Sequence, residues 1–196
     1  MKSLHIFLLL SLFIGNGCSS PSEEHLVFND IPIHGNPAQF ANKLVKAGFT
    51  RSQATEEDQI KLNGVFLEKN CEIYVYATKK SQLAYKVRVN LPGEVTDSLQ
   101  VSFEKLQKLY ASNYGMGKTR YKQYRNPERF MFNEPGLKRQ IRKGDRTMYT
   151  TDSGFITLEV QDGYISITYL DKLNNEINKR EMEEENKNES DGEIPL

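Results

Sequence analysis

The run CEIYVYATKKSQLAYKVRVN, residues 71–90, carries the clearest structural signal in the chain. Ile73, Val75 and Ala77 alternate with Glu72, Tyr74 and Tyr76, while Tyr85, Val87 and Val89 alternate with Lys86, Arg88 and Asn90. Successive side chains leave opposite faces of a strand, so a period of two predicts half-buried antiparallel strands over 71–77 and 83–90. Residues 78–82 then form the hairpin loop.

Upstream of this pair, Asn36 followed by Pro37 predicts a helix start, because the Asn side chain can accept from a free amide of the first turn and Pro suits the first helical position. Phe40, Leu44 and Ala47 make one apolar stripe that ends at Gly48. Strands are predicted over 49–54 and 59–66. The lead-in 26–33 reads as extended, with Pro32 unsuited to a central strand. Downstream, Leu91-Pro92-Gly93 breaks the chain and the pattern restarts. Ser98 can cap a second helix in which Leu99, Phe103, Leu106 and Tyr110 share a face, with Gly115 as its stop. Strands follow over 118–124, 145–151, 154–160 and 164–170, separated in part by the turn signals Asp152-Ser153-Gly154 and Gln161-Asp162-Gly163. A helix followed by strands thus occurs twice. The expected fold class is α+β: two tandem helix-plus-antiparallel-sheet units, 26–92 and 93–171, with the helices packed on one sheet face.

The ends of the chain differ from this body. Lys2 precedes the apolar run 4–14, and Gly15-Asn16-Gly17-Cys18 closes it with small residues, the pattern of a secretory leader over 1–17. The run is too short to span a bilayer, which needs about 20 apolar residues. Residues 18–25 then read as a polar linker, and residues 172–196 as an acidic tail, largely disordered beyond a short helix. Gly15-x-Gly17 suits ordinary signal cleavage, which would leave a freely secreted protein, while Cys18 resembles the acylated cysteine of bacterial lipoproteins. The resemblance implies that Cys18 becomes the mature N-terminus and carries the lipid that holds the protein at the outer membrane, on its periplasmic or surface-exposed face. Two or three acyl chains, at about 0.8 kcal/mol per buried methylene, hold firmly where one does not. The body is similar to small cell-envelope lipoproteins, including those of Bacteroidetes with the lead-in seen here as Phe28-Asn29-Asp30-Ile31-Pro32-Ile33 and a Tyr-Gly seen as Tyr114-Gly115, and to the tandem units of the β-lactamase inhibitor protein-like fold. That resemblance implies a compartment and protein contacts, and it carries no catalytic residue.

Composition narrows the chemistry. Lys plus Arg equal Asp plus Glu at 26 each, so a global basic excess of the kind that marks a nucleic-acid binder is missing. The two cysteines are Cys18 and Cys71; with the first acylated, the second reads as a small buried hydrophobe, and a Cys18–Cys71 bridge is the competing account. His25 and His34 lack a second histidine at ligand spacing and read as solvated, so no metal site, cofactor or His-based nucleophilic triad is expected. Ser112–Thr119 ends in Gly117-Lys118-Thr119 but lacks the first glycine of a phosphate loop and has helix and strand in the wrong order.

Charge is the one local anomaly. Between Lys118 and Arg146 stand ten basic residues against three acidic ones. Lys118, Arg120 and Lys122 alternate with Thr119, Tyr121 and Gln123, so a strand would project all three from one face toward an anionic partner, with Arg139, Arg142 and Lys143 in the loop beyond. Lysines on an edge strand also keep it soluble, the plainer account. The expectation is a lipid-anchored, non-catalytic binding module for a protein, an acidic glycan or a lipid headgroup. An inhibitor or immunity-type lipoprotein and an envelope hydrolase are the alternatives.

Overall fold

The computed structural model describes residues 24–52, 59–92, 96–120 and 143–192. The leader, Cys18, Lys122, Arg139 and Arg142 lie outside the described residues. The elements run, in chain order, β1 (Val27–Phe28), β2 (Ile31–Pro32), α1 (Pro37–Lys46), β3 (Thr50–Arg51), β4 (Gln59–Phe66), β5 (Lys69–Ala77), β6 (Ala84–Pro92), α2 (Thr96–Tyr114), β7 (Lys118–Arg120), β8 (Arg146–Thr150), β9 (Gly154–Val160), β10 (Tyr164–Asp171) and α3 (Lys172–Gly192).

These elements correct the expectation of two tandem units. The structure is mostly β: β3 to β10 form one continuous antiparallel sheet in the order β3-β4-β5-β6-β10-β9-β8-β7, and β1 and β2 pair in a small separate hairpin. The join is β6 against β10, matched over seven residue pairs from Tyr164↔Pro92 to Leu170↔Lys86. Sequence periodicity identifies strands and faces, but it holds no information about which edges meet. Two neighbouring β-rich stretches with free edges lower their energy by sharing one ladder, because an unpaired edge leaves backbone donors and acceptors open.

One face of the sheet is apolar. Ile73, Val75, Val87, Val89, Ile167, Ile156 and Leu158 are fully buried there. Helix α1 lays Phe40, Ala41 and Leu44 on it, and α2 adds Leu99, Phe103, Leu106 and Tyr110 to the same cluster. The start of α1 follows its sequence signal: Asn36 Oδ1 accepts from the Ala38 amide at 2.9 Å, and Pro37 stands at the first position. Gly48 takes φ +102° just past the helix, a region open to glycine and strained for side chains. Ahead of α1, the β1–β2 hairpin turns through Asn29 and Asp30, both at positive φ as a two-residue hairpin turn of this hand requires. Phe28 then drops into the core, its ring 5.3 Å from that of Phe66 and 5.0 Å from that of Tyr169. At the β4–β5 turn the same positive-φ geometry falls on Leu67 and Glu68, neither of which favours it.

The C-terminal segment is the second correction. In place of a short helix and disorder, α3 runs to Gly192. Two contacts explain its length. Asp171, fully buried, accepts from the Asn174 amide at 2.9 Å and caps the first turn. Further along, Glu181 reaches the 78–82 loop, accepting from the amides of Lys80 (2.8 Å) and Ser81 (3.0 Å) and from the Ser81 hydroxyl. Burial alone would raise its carboxyl, yet these donors hold it below the usual carboxylate range. Lys80 pairs with Glu184 and Lys79 with Glu185 beside it. The acidic residues thus hold the helix to the loop between β5 and β6. Glu181→Ala should leave the sheet intact, cost about 1–3 kcal/mol for the stranded loop amides, and speed hydrogen exchange in the second half of α3; unchanged exchange there would refute the clamp.

The lead-in is also pinned. The Leu26 amide donates to Asp171 Oδ2 at 2.8 Å, and His25 Nδ1 lies 3.2 Å from the same oxygen. The rings of His25 and His34 stack at 5.0 Å; His34 is exposed, as the sequence suggested, while His25 is half-buried against Asp171. Partial burial and the neighbouring His25 lower the His34 pKa. Among the described residues no helix is long and apolar enough to cross a membrane.

Candidate functional site

The face of the sheet opposite α1 and α2 is polar and aromatic, and strand register orders it into rows. One row runs Lys118, Met148, Thr157, Thr168, Arg88, Tyr74, Lys61 across seven strands. The adjacent row runs Arg120, Arg146, Glu159, Ser166, Asn90, Glu72, Asn63. These are the alternate residues of the strands whose other halves form the core, which is why the same two-residue period yields both.

The central strands hold a defined constellation on this face. Glu72 is fully engaged: Oε1 accepts from Lys61 Nζ at 2.6 Å and Oε2 from the Tyr74 hydroxyl at 2.9 Å. The Lys61 and Tyr74 bonds hold the Glu72 carboxyl below its usual range, and Glu72 in turn raises Lys61. Burial, then the bond to Glu72, raises the Tyr74 phenol. Beside them, the Arg88 guanidinium lies over two rings, its Cζ 4.8 Å from the Tyr74 centroid and 5.4 Å from that of Tyr76. Lys86 Nζ sits 3.8 Å over Tyr76, its pKa lowered by burial and by Arg88. Cation–π contact holds both charges in place without neutralising them.

Two polar atoms in this cluster are left over. Arg88 Nε and Asn90 Oδ1 are buried and have no hydrogen-bond partner among the described residues. Each such atom ordinarily costs about 1–3 kcal/mol, so a folded protein rarely keeps a pair of them without use. Both residues border a groove of about 870 Å³ that Asn63, Glu72, Tyr74 and Tyr164 also line. The arrangement sets a fixed cation beside an amide, each keeping one buried polar atom that the fold does not satisfy, at the border of the groove. It is a receptor geometry for a polar, negatively charged group. Among the described residues no cluster of three or more His, Cys, Asp or Glu could hold a metal ion.

The residues singled out from sequence fall in several places. Lys118 and Arg120 stand on the polar face, in the same two rows as Arg88 and Asn90. At about 4.8 Å per strand, four strand steps separate Lys118 from Arg88 by about 19 Å. Lys143 is tied to Asp162 beside the β9–β10 turn and does not join them. Cys71 is buried on the apolar side with its thiol pushed up to about 11 by burial, the small-hydrophobe reading. Gly115 takes φ +77° at the end of α2, a helix stop. Sequence reasoning missed Arg88, Lys86 and Asn90, which read there as ordinary solvent-side alternates. The hairpin signal could have found them: folding 71–90 at its loop sets two tyrosines against two cations.

No protein-family model, no curated protein and no solved structure matches this chain.

Proposed function

We propose that this protein is a lipid-anchored component of the cell envelope that acts as a non-catalytic binding module, its ligand seated on the polar face of the sheet. The observation that carries the reading is the unmet hydrogen-bonding capacity of Arg88 and Asn90 in an open groove. The groups around them are fixed by mutual contacts, Glu72 by two donors and Arg88 by two rings, so the surface is organised before any ligand arrives. Such preorganisation lowers the entropic cost of binding. The leader and Cys18 support the anchor, and the 18–25 linker would set the body off the membrane.

Two experiments test the parts separately. Cells labelled with radioactive palmitate should incorporate it into the wild-type protein and not into Cys18→Ala, which should leave the membrane fraction; label-free wild type would remove the anchor. A photo-crosslinking residue at Thr168, on the polar face, should capture a specific adduct in intact cells that the same residue at exposed Val101 on α2 does not. Equal adducts at both positions would reject the polar face as the binding surface.

A further inference from the structure

We infer that the groove at Arg88 and Asn90 takes the acidic unit of a negatively charged oligosaccharide, with further units lying across the strands toward Lys118 and Arg120. The inference rests on the reading of the polar face as the binding surface and adds the ligand's chemical class.

The Arg88 guanidinium is oriented by Tyr74 and Tyr76, and no carboxylate among the described residues bonds to it. Glu72, the carboxylate in the cluster, has both oxygens engaged by Lys61 and Tyr74. An oxyanion on the ligand supplies what the guanidinium lacks, a charge-assisted acceptor. Asn90 Oδ1 asks for the opposite, a donor. Chloride and sulfate have none to give, and hydrogen phosphate has only its own acidic protons, whereas a sugar acid or sugar phosphate carries several hydroxyls next to its oxyanion. The groove, about 870 Å³, also exceeds what a single small ion fills.

The rest of the face points the same way. Beyond Arg88 and Asn90 the rows continue through Ser166 and Thr168 on β10 and Thr157 and Glu159 on β9, then Met148, before reaching Arg146, Lys118 and Arg120. A floor rich in hydroxyls, with cations at either end and the carboxylate of Glu159 between them, suits a chain that spaces its negative charges among hydroxyls. A peptide is the poorer fit, because β6 and β10 are interior strands whose ladders are paired on both sides, leaving no edge for strand addition.

The test is calorimetric titration of the full mature protein in detergent with short oligogalacturonides, heparin-derived sulfated oligosaccharides, mannose phosphate, neutral malto-oligosaccharides and polyglutamate. At least one of the three acidic sugars should bind, the one that does identifying whether carboxylate, sulfate or phosphate is the oxyanion, while the neutral sugar and polyglutamate do not. Arg88→Gln removes the guanidinium and Asn90→Asp sets a carboxylate where the ligand's anion would lie; each should weaken binding roughly ten-fold or more. Asn90→Asp is nearly isosteric and offers Arg88 an internal partner, so it tests the site even where Arg88→Gln unfolds. Lys118→Gln should weaken only the longer oligomers. Binding of polyglutamate or neutral sugar as tight as that of the acidic sugars, or an Asn90→Asp protein that binds like wild type, would overturn the inference. Failure of every acidic sugar while Thr168 crosslinks persist would remove the ligand class and leave the binding face standing; loss of face-specific crosslinks would remove both.

Discussion

Replacing Phe28 with alanine should cost about 3–5 kcal/mol of folding stability, the range for deleting a buried aromatic ring. Phe28 is fully buried although it comes from a two-residue strand outside the main sheet. Its ring bridges Phe66 on β4 and Tyr169 on β10, strands that are three places apart in the sheet. The hole left by alanine would lie between side chains fixed by separate ladders, which cannot close over it. Phe28→Leu keeps most of the volume and should retain most of the stability. Urea unfolding measures both: the midpoint should fall sharply for alanine with little change in slope. A loss below about 1 kcal/mol would show that the lead-in is not part of the core.

Asp171→Ala should rank next, at about 3 kcal/mol, the sum of two losses. One carboxylate here serves three groups: the Leu26 amide, the Asn174 amide and the ring nitrogen of His25. Alanine strands the Leu26 donor in a buried place, at about 1–3 kcal/mol, and removes the cap of α3, at about 1 kcal/mol. The Asp171→Asn substitution would recover one acceptor and present an amide donor where another acceptor is needed, so its cost should fall between wild type and alanine. Amide exchange gives the distinguishing signature. Protection should drop together at Leu26 and in the first turn of α3, two segments far apart in sequence; loss at only one of them would show that the shared carboxylate does not couple them.

Local features were legible from sequence wherever one residue type has one physical use. Asn36-Pro37 marked the start of α1, and the period of two placed β4, β9 and the core of β5, β6 and β10 within about two residues. The stripe Leu99, Phe103, Leu106, Tyr110 gave the buried face of α2. What was not legible depends on partners distant in the chain. Nothing in Tyr164–Asp171 states that its neighbour will be Ala84–Pro92, so a single sheet read as two. Glu181, Glu184 and Glu185 look like a solvated acidic run until Lys79 and Lys80 are brought alongside. The candidate site was half visible. Lys118 and Arg120 stood out by charge density, whereas Arg88 could not, because what marks it is a guanidinium held by rings with no carboxylate bonded to it, and that emerges only with the register of β5 and β6.

The position of β10 in the middle of the sheet also governs when the molecule can come into being. A chain made, or threaded through a pore, from its N-terminus produces β6 about 70 residues before the strand that must lie against it. Until residue 171 emerges, the first four-strand meander waits with an open seam, and β7 to β9 can pair with one another but not with β6. Native assembly therefore waits for β10, the strand that joins the two halves of the sheet. A stalled or truncated product ending before β10 would present raw hydrogen-bonding edges to its neighbours, and such fragments should self-associate into insoluble material while the finished protein stays monodisperse.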